Sequence, residues 1–371
     1  GSILSFTVIL SHPSLKEMST LPKSAWVAGK AQRVSIRKSP SYIYNNLTSC
    51  GEHIAFIHGN EVYILSDRMQ DEVGSVVPTR LPSHTVTVHA ILYGQLHGTY
   101  YLAVGTTAGA QVWDAAGKQL LVEHRGLQPK EANPSPAQQD EGCRAICFHP
   151  STDSKQSSTI SFVSTLGRWL PVSVAVESKD KGSWHIPETW QQLPVLSATA
   201  ATAPCPGNLL VVSDEAGTIH FIDCSSGQTL QTWTELLIPV TSMVSMQWMD
   251  CVAIALLNGE IVILGVQYQE GSTLTLIKRA SVSAHARVVT ALSVHPTLPV
   301  ICSASDDCRA GVWQVEPTKD GQGQTICHIQ TLGHFKVENR ICVGACFAEP
   351  DFGHFVIACF DTEKLRVIAP A

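Results

Sequence analysis

The stretch from Ser283 to Val315, SAHARVVTALSVHPTLPVICSASDDCRAGVWQV, constrains this chain more than any other. It opens with a period-two run, Val288, Thr290, Leu292 and Val294, and reaches the turn pair His295-Pro296. A second run, Val300-Ile301-Cys302-Ser303, meets the tight acidic turn Asp306-Asp307, and a third ends in Trp313. Three short apolar runs joined by two tight turns predict a β-meander. Four polar residues are spread across it in order: His285 ahead of the first strand, Ser303 on the second, Asp307 in the turn and Trp313 on the third. Their donor and acceptor types match end to end, indole N–H to hydroxyl, hydroxyl to imidazole, imidazole N–H to carboxylate. Such a chain stabilises a core only if each member is satisfied, so the ordered set is a specific signal.

These residues resemble one WD repeat, a blade of a β-propeller. Ala284-His285 stands where that family usually has Gly-His, and Trp313-Gln314 where it has Trp-Asp. A propeller repeats a four-stranded blade at about 40–45 residues, and the chain tested against that template gives seven units. The first spans about 42–80. The second contains Val86 to Tyr93, Tyr101 to Thr106 and the dipeptide Trp113-Asp114. The third is irregular, with Cys143 to Phe148, a polar insertion from Ser151 to Ser158, and Pro171, which disfavours a fully paired central strand. The fourth carries DEAGTIHFID and the fifth turns at Asn258-Gly259. The sixth is the opening stretch, closed by Thr325 to Thr331, and the seventh begins at Leu332-Gly333-His334. Counterparts of Trp313 fall at Ile64, Trp113, Val172, Ile222, Ile263 and Ile368. The last unit has three strands and lacks a fourth, which the orphan strand 31–38 would supply, leaving no open edge. The expectation is an all-β chain: a seven-bladed WD-repeat β-propeller over 31–371, closed by an N-terminal strand, after an unassigned extension, 1–30.

Composition agrees with a large core. The chain has 371 residues, 44% of them hydrophobic and 15% charged, which argues against disorder. Net charge is −6, and the densest basic cluster, Arg33 to Lys38, is too thin to track phosphates, so no nucleic-acid partner is expected. The longest apolar stretch, Val252 to Val266, is broken by Asn258-Gly259-Glu260, so no membrane insertion is expected, and the N-terminus reads as a poor signal peptide. Two of the cysteine pairs, Cys143/Cys147 and Cys342/Cys346, are spaced C-x3-C. On a strand such residues lie about 13 Å apart, too far to share one ion, so the twelve cysteines are read as core residues in a reducing compartment, with no metal and no cofactor.

A Ser-His-Asp set invites a hydrolase reading, but its nucleophile must be exposed beside an oxyanion hole. Ser303 is expected mid-strand and buried, which makes His285, Ser303, Asp307 and Trp313 a structural tetrad. No G-x-S-x-G elbow, H-E-x-x-H or phosphate-binding loop is present. The turns joining second to third strands would share one face and present Thr107, Arg168, Asp214, Glu215, Asn258, Asp306 and Asp361, with Arg287 and Arg309 beside them. That set is mostly polar and net acidic, so a basic or Arg-containing peptide is the expected partner, with self-association a further expectation. Its resemblance to WD repeats implies a non-catalytic protein-interaction scaffold in a multiprotein assembly, cytoplasmic and, for some such proteins, ciliary or flagellar. The signature Phe-Arg-Arg-Gly of phosphoinositide-binding propellers is missing. The alternative is an enzyme or small-ligand binder using the central channel, which would need acidic or His residues on the innermost strands.

Overall fold

The computed structural model describes residues 31–368 except 51, 67–71, 77–85, 128–140, 150–156, 179–180, 205–207, 247, 269–273, 338 and 349–353. The 1–30 extension and most of the Ser151–Ser158 insertion therefore lie outside the described residues, which contain no helix.

The apolar runs form strands in seven antiparallel sheets. Blade 7 is completed by the first strand of the chain, β1 (Ala31–Ser35). Blade 1 is β2 (Thr48–Ser49), β3 (His53–His58), β4 (Glu61–Ser66) and β5 (Glu72–Val76). Blade 2 is β6 (Val88–Leu96), β7 (Thr99–Thr106), β8 (Gly109–Asp114) and β9 (Leu120–Arg125). Blade 3 has β10 (Cys143–His149), β11 (Ser158–Ser164), β12 (Arg168–Ser178), β13 (Lys181–His185) and the short β14 (Gln191–Gln192). Blade 4 is β15 (Ala198–Thr202), β16 (Leu209–Asp214), β17 (Ile219–Asp223) and β18 (Thr229–Trp233). Blade 5 is β19 (Val240–Met246), β20 (Cys251–Leu256), β21 (Glu260–Gln267) and β22 (Thr275–Ser283). Blade 6 is β23 (Val289–Val294), β24 (Val300–Ser305), β25 (Arg309–Lys319) and β26 (Thr325–Lys336). Blade 7 adds β27 (Cys342–Ala348), β28 (His354–Cys359) and β29 (Lys364–Ile368).

The innermost strands make the ring. Each of β2, β6, β10, β15, β19, β23 and β27 packs beside the next, and β27 returns to β2. Seven apolar clusters fill the spaces between neighbouring blades, one per junction. A second strand thus has a core on each side, and β20 and β24 are buried at every position. Continuous runs such as CVAIAL follow from this, since alternation marks a strand with one wet face. β1 pairs antiparallel with β29 from Ala31↔Ile368 to Ser35↔Lys364, so the N-terminal strand closes the last blade. It ends at Ser35, three residues short of the expected range, and Ile36 makes one more bond, N–H to the Glu363 carbonyl at 3.1 Å.

Two sequence expectations need correction. Trp313 and Trp113 directly follow a bulge between third and fourth strands. The same bulge in blades 1 and 5 precedes Leu65 and Leu264, so these, not Ile64 and Ile263, are the Trp313 counterparts. Leu332-Gly333-His334 does not open blade 7. It lies in β26, with Gly333 opposite Val312 and His334 opposite Gly311, because the β25–β26 hairpin runs far beyond an average strand length. Pro171 lies in the third strand of blade 3, which is irregular as expected and not fully paired there. Its inner partner is Ser161, while the outer partners β13 and β14 pair only with residues on either side of it, so no ladder bond needs the missing N–H.

The seam between blades 7 and 1 is fastened by Asn46. Its backbone N–H donates to the Val343 carbonyl at 3.0 Å. Its Nδ2 donates to the carbonyls of Ser41 (2.7 Å) and Ile57 (3.0 Å), and its Oδ1 accepts from the Ile57 N–H at 2.6 Å. A Cβ on Gly344 would stand 2.6 Å from the Leu47 Cβ, so the contact admits only glycine without movement. Replacing Asn46 by Ala takes the acceptor from the buried Ile57 N–H, while the Ser41 and Ile57 carbonyls keep one backbone donor each, and stability should fall by about 1–3 kcal/mol. The urea midpoint reads this directly; an unchanged midpoint would contradict it.

Candidate functional site

The tetrad residues converge in blade 6. The Trp313 indole N–H donates to Ser303 Oγ at 2.8 Å, and the Ser303 hydroxyl reaches His285 Nε2 at 2.8 Å. On the other side of the ring, His285 Nδ1–H donates to Asp307 Oδ2 at 3.2 Å. The carboxylate also accepts the backbone N–H of Ala286 (2.9 Å) and of Arg309 (3.0 Å), which pins the turn to the loop before β23. The His285 side chain is fully enclosed and Asp307 nearly so. Burial drives the His285 pKa down to about 4 against the opposing pull of Asp307. The ring is therefore neutral, as a chain with one imidazole donor and one acceptor requires. Ser303 has no exposed surface, so no substrate reaches its hydroxyl. His334 joins this cluster from β26, its ring 5.6 Å from that of His285 and 6.1 Å from Trp313.

Blades 3 and 2 also bond an indole, whereas the buried Trp248 Nε1 in blade 5 has no partner among the described residues. In blade 3, Trp169 Nε1–H donates to Ser161 Oγ at 3.0 Å and the hydroxyl reaches His149 Nε2 at 2.8 Å. Burial also pushes the His149 pKa down to about 4. In blade 2, Trp113 donates to Gln111 Oε1 (3.1 Å), and Gln111 donates to Glu123 (2.9 Å).

Most residues of the expected binding face build the turns that carry them. Thr107 accepts the Thr87 N–H at 3.1 Å and Asn258 the Glu260 N–H at 3.1 Å. Asp214 accepts the N–H groups of Ala216 (3.0 Å) and Thr218 (2.9 Å), and its other oxygen faces His220 at 3.1 Å. Arg168 is held in a bidentate ion pair by the buried Glu141, whose Oε1 also accepts the Ser164 hydroxyl at 2.6 Å. Glu141 and Arg168 are 27 residues apart in the chain, so nothing local marked Glu141. Arg287 pairs with Asp306 at 3.5 Å and stays largely exposed. Glu215, Arg309 and Asp361 are exposed, and no side-chain bond or ion pair holds their charged groups among the described residues.

The loops leading into each first strand share a face with the turns joining second to third strands, because four antiparallel strands return the chain to the same end. Five of the exposed large apolar side chains lie there: Tyr42 (45% exposed), Leu196 (80%), Leu237 (83%), Leu257 (48%) and Phe360 (41%). Leu237 also holds φ +53°, and Ser197, beside Leu196, +55°, a region non-glycine residues seldom enter. Isolated leucines in loops gave no sequence signal.

Inside the ring, the first strands line a cavity of about 500 Å³. Among the described residues its walls are mainly Ala, Ser, Thr, Val, Leu and Cys, with no Asp, Glu or His and one charged residue, Arg144. Asn45 crosses toward it: its N–H donates to the Thr290 carbonyl (2.9 Å), and its Oδ1 accepts from the Ser242 hydroxyl (2.9 Å) and the Leu292 N–H (3.2 Å). The described cysteines are free thiols, all buried except the half-buried Cys224 and Cys308.

The two enclosed histidines make stability depend on pH. Their folded pKa values, about 4, lie below the about 6.5 of an unfolded chain, so acid protonates the unfolded state first. Stability should be flat above about pH 7 and fall as pH drops from about 6.5 to 4, each histidine contributing up to about 3 kcal/mol. Urea midpoints across this range test it, and His149→Asn should reduce the slope.

No protein-family model and no curated protein matches the chain. Solved structures do. A chain in "Crystal Structure of Mitotic Checkpoint Complex" is similar at TM-score 0.65 and 13% identity, covering 100% of this chain and 98% of that one. The Cps50 (Swd1) β-propeller domain of Myceliophteria thermophila is similar at TM-score 0.61 and 11% identity, covering 91% and 99%. At such identities the likeness is one of fold, and with the seven closed sheets it establishes the chain as a seven-bladed β-propeller.

Proposed function

We propose that this propeller is a non-catalytic protein-interaction scaffold and that partners dock on the face carrying Leu196, Leu237, Leu257, Tyr42 and Phe360. The observation that carries the reading is this concentration of exposed apolar side chains on one end of an otherwise well-buried ring. Scattered singly, such residues need no explanation; gathered around one opening, two of them in or beside strained backbone, they mark a binding surface. The exposed carboxylates Glu215 and Asp361 on the same rim suit a basic or Arg-containing flank of the partner. Similar propellers occur in a mitotic checkpoint complex, which fits a role among proteins.

The WD-repeat assignment is part of the proposal. Asn45-Asn46-Leu47, Ala284-His285-Ala286-Arg287, Ser303-Ala304 with Asp307 and Trp313, and Cys342-Val343-Gly344-Ala345 resemble WD repeat-containing protein 54. A distant relationship to that protein, and with it a cytoplasmic, ciliary or flagellar setting, rests on these residues alone. The enzyme alternative has little support in the channel, whose described lining residues offer no carboxylate or imidazole as a general base.

Leu196→Asp with Leu237→Asp should abolish proximity labelling of a reproducible partner set in cells without moving the urea midpoint. Leu230→Asp, on the outer strand β18, should leave the set intact. Retention of the partners by the double variant would sink the docking face.

A further inference from the structure

Arg144 is a half-buried charged residue for which the described residues provide no counter-ion. It lies near the start of β10 and borders both the central cavity and a second cavity of about 500 Å³. That second cavity is lined by Tyr42, Tyr44, Thr87 and His89, with the Gly59-Asn60 turn at its rim, so it opens on the proposed docking face. The guanidinium carbon stands 5.9 Å from the centre of the Tyr44 ring. Among the described residues no carboxylate pairs with it, and burial lowers its pKa. Its neighbour His89 is bonded to Thr87 Oγ1 at 3.0 Å and kept neutral, by burial first and then by the Arg144 charge. Arg168 differs: that guanidinium, on β12 of the same blade, is neutralised by Glu141. A positive charge in a confined, largely apolar mouth repels cations and is strongly stabilised by an anion that displaces its water.

We propose that the mouth of the central channel receives a carboxylate side chain, Asp or Glu, from an extended segment of a protein partner, with Arg144 as its ionic contact between Tyr42 and Tyr44. This rests on the docking-face reading and sharpens it. The exposed apolar residues hold the segment, and the half-buried guanidinium sets which residue enters the opening. Basic flanks remain compatible with the acidic rim, whereas a central Lys or Arg does not.

The test uses the full chain and an array of short peptides of randomised sequence, probed with the wild type and with Arg144→Ala, Arg144→Gln and Arg144→Lys. Peptides retained by the wild type should be enriched in Asp and Glu. Arg144→Ala and Arg144→Gln should weaken their binding by about tenfold or more, with Arg144→Lys in between. Changing the peptide's Glu to Gln should cost the same factor, and the combined change no more than either alone, which is the mark of a direct pair. Urea midpoints of the variants check that the ring is intact, and Arg144→Lys preserves a readout if the shorter residues fold poorly. Three results would overturn the proposal: retained peptides without acidic enrichment, peptides held equally by Arg144→Ala, or an array that retains none. If Leu196→Asp with Leu237→Asp loses peptides that Arg144→Ala keeps, the docking face stands and the carboxylate site falls. A thermal shift of the wild type, but not Arg144→Ala, by free glutarate with no peptide retained would make the mouth a small-anion cavity instead.

Discussion

The junction where the last blade meets the first governs the whole ring. Blades have no cores of their own; each apolar cluster is shared by two neighbours, and the cluster between blades 7 and 1 includes Ile54, Phe56, Val343, Val356 and Leu365. Each such side chain is worth about 1.5–3 kcal/mol when removed from water. Opening this one interface therefore exposes an amount comparable to the entire net stability of a domain, about 5–15 kcal/mol. It would also bare one face of each of two sheets. The chain holds the junction with β1, which pairs along β29, and with Asn46, whose amide replaces a strand partner for Ile57. The segment between them, 36–47, is obliged to cross from the outer strand of one blade to the inner strand of the next. In crossing it brings Tyr42, Tyr44 and Asn45 to the mouth of the channel. Closure and the candidate site are thus products of the same stretch of chain.

The blades were legible because their physics is local. A strand with cores on both sides must be apolar throughout, and tight hairpins demand Gly, Asn and Asp, so runs and turns stand out without knowledge of their partners. The closing strand was legible by elimination, since a blade of three strands leaves an edge that an orphan strand fits. Register was less so. The bulges before Leu65 and Leu264 shift the pattern by one residue, and both neighbours are aliphatic, so the sequence offers nothing to choose between Ile64 and Leu65. His334 misled for a different reason. Gly333-His334 copies the start of a repeat, whereas only pairing with Gly311 reveals that the preceding strand has not ended.

The site was far less legible, because what makes a residue available is what it does not touch. Turn residues were chosen for their chemistry and position, and most proved occupied. Asp214 and Asn258 cap backbone N–H groups, Asp307 holds His285, and Arg168 is held by Glu141. A carboxylate or guanidinium in such a turn is needed whether or not a partner exists. The tetrad makes the same point. Blade 3 ties its indole to a serine and a histidine, and blade 2 uses a glutamine and a glutamate. Different side chains meet one requirement, that a buried N–H be bonded, and that requirement is structural.

Function is better sought among groups that carry an energetic cost the fold does not recover. Leu237 keeps an unfavourable backbone conformation while its side chain stands in solvent, so neither packing nor hydrogen bonding within the ring rewards the strain. Arg144 loses hydration without gaining a carboxylate, although the same fold pairs the partly buried guanidinium of Arg168 with Glu141. A hydrophobic residue or a glutamine at 144 would remove that cost at once. The two residues sit on the same end of the ring, one at its rim and one at its centre. A single bound segment would bury the first and neutralise the second, which accounts for both costs with one event.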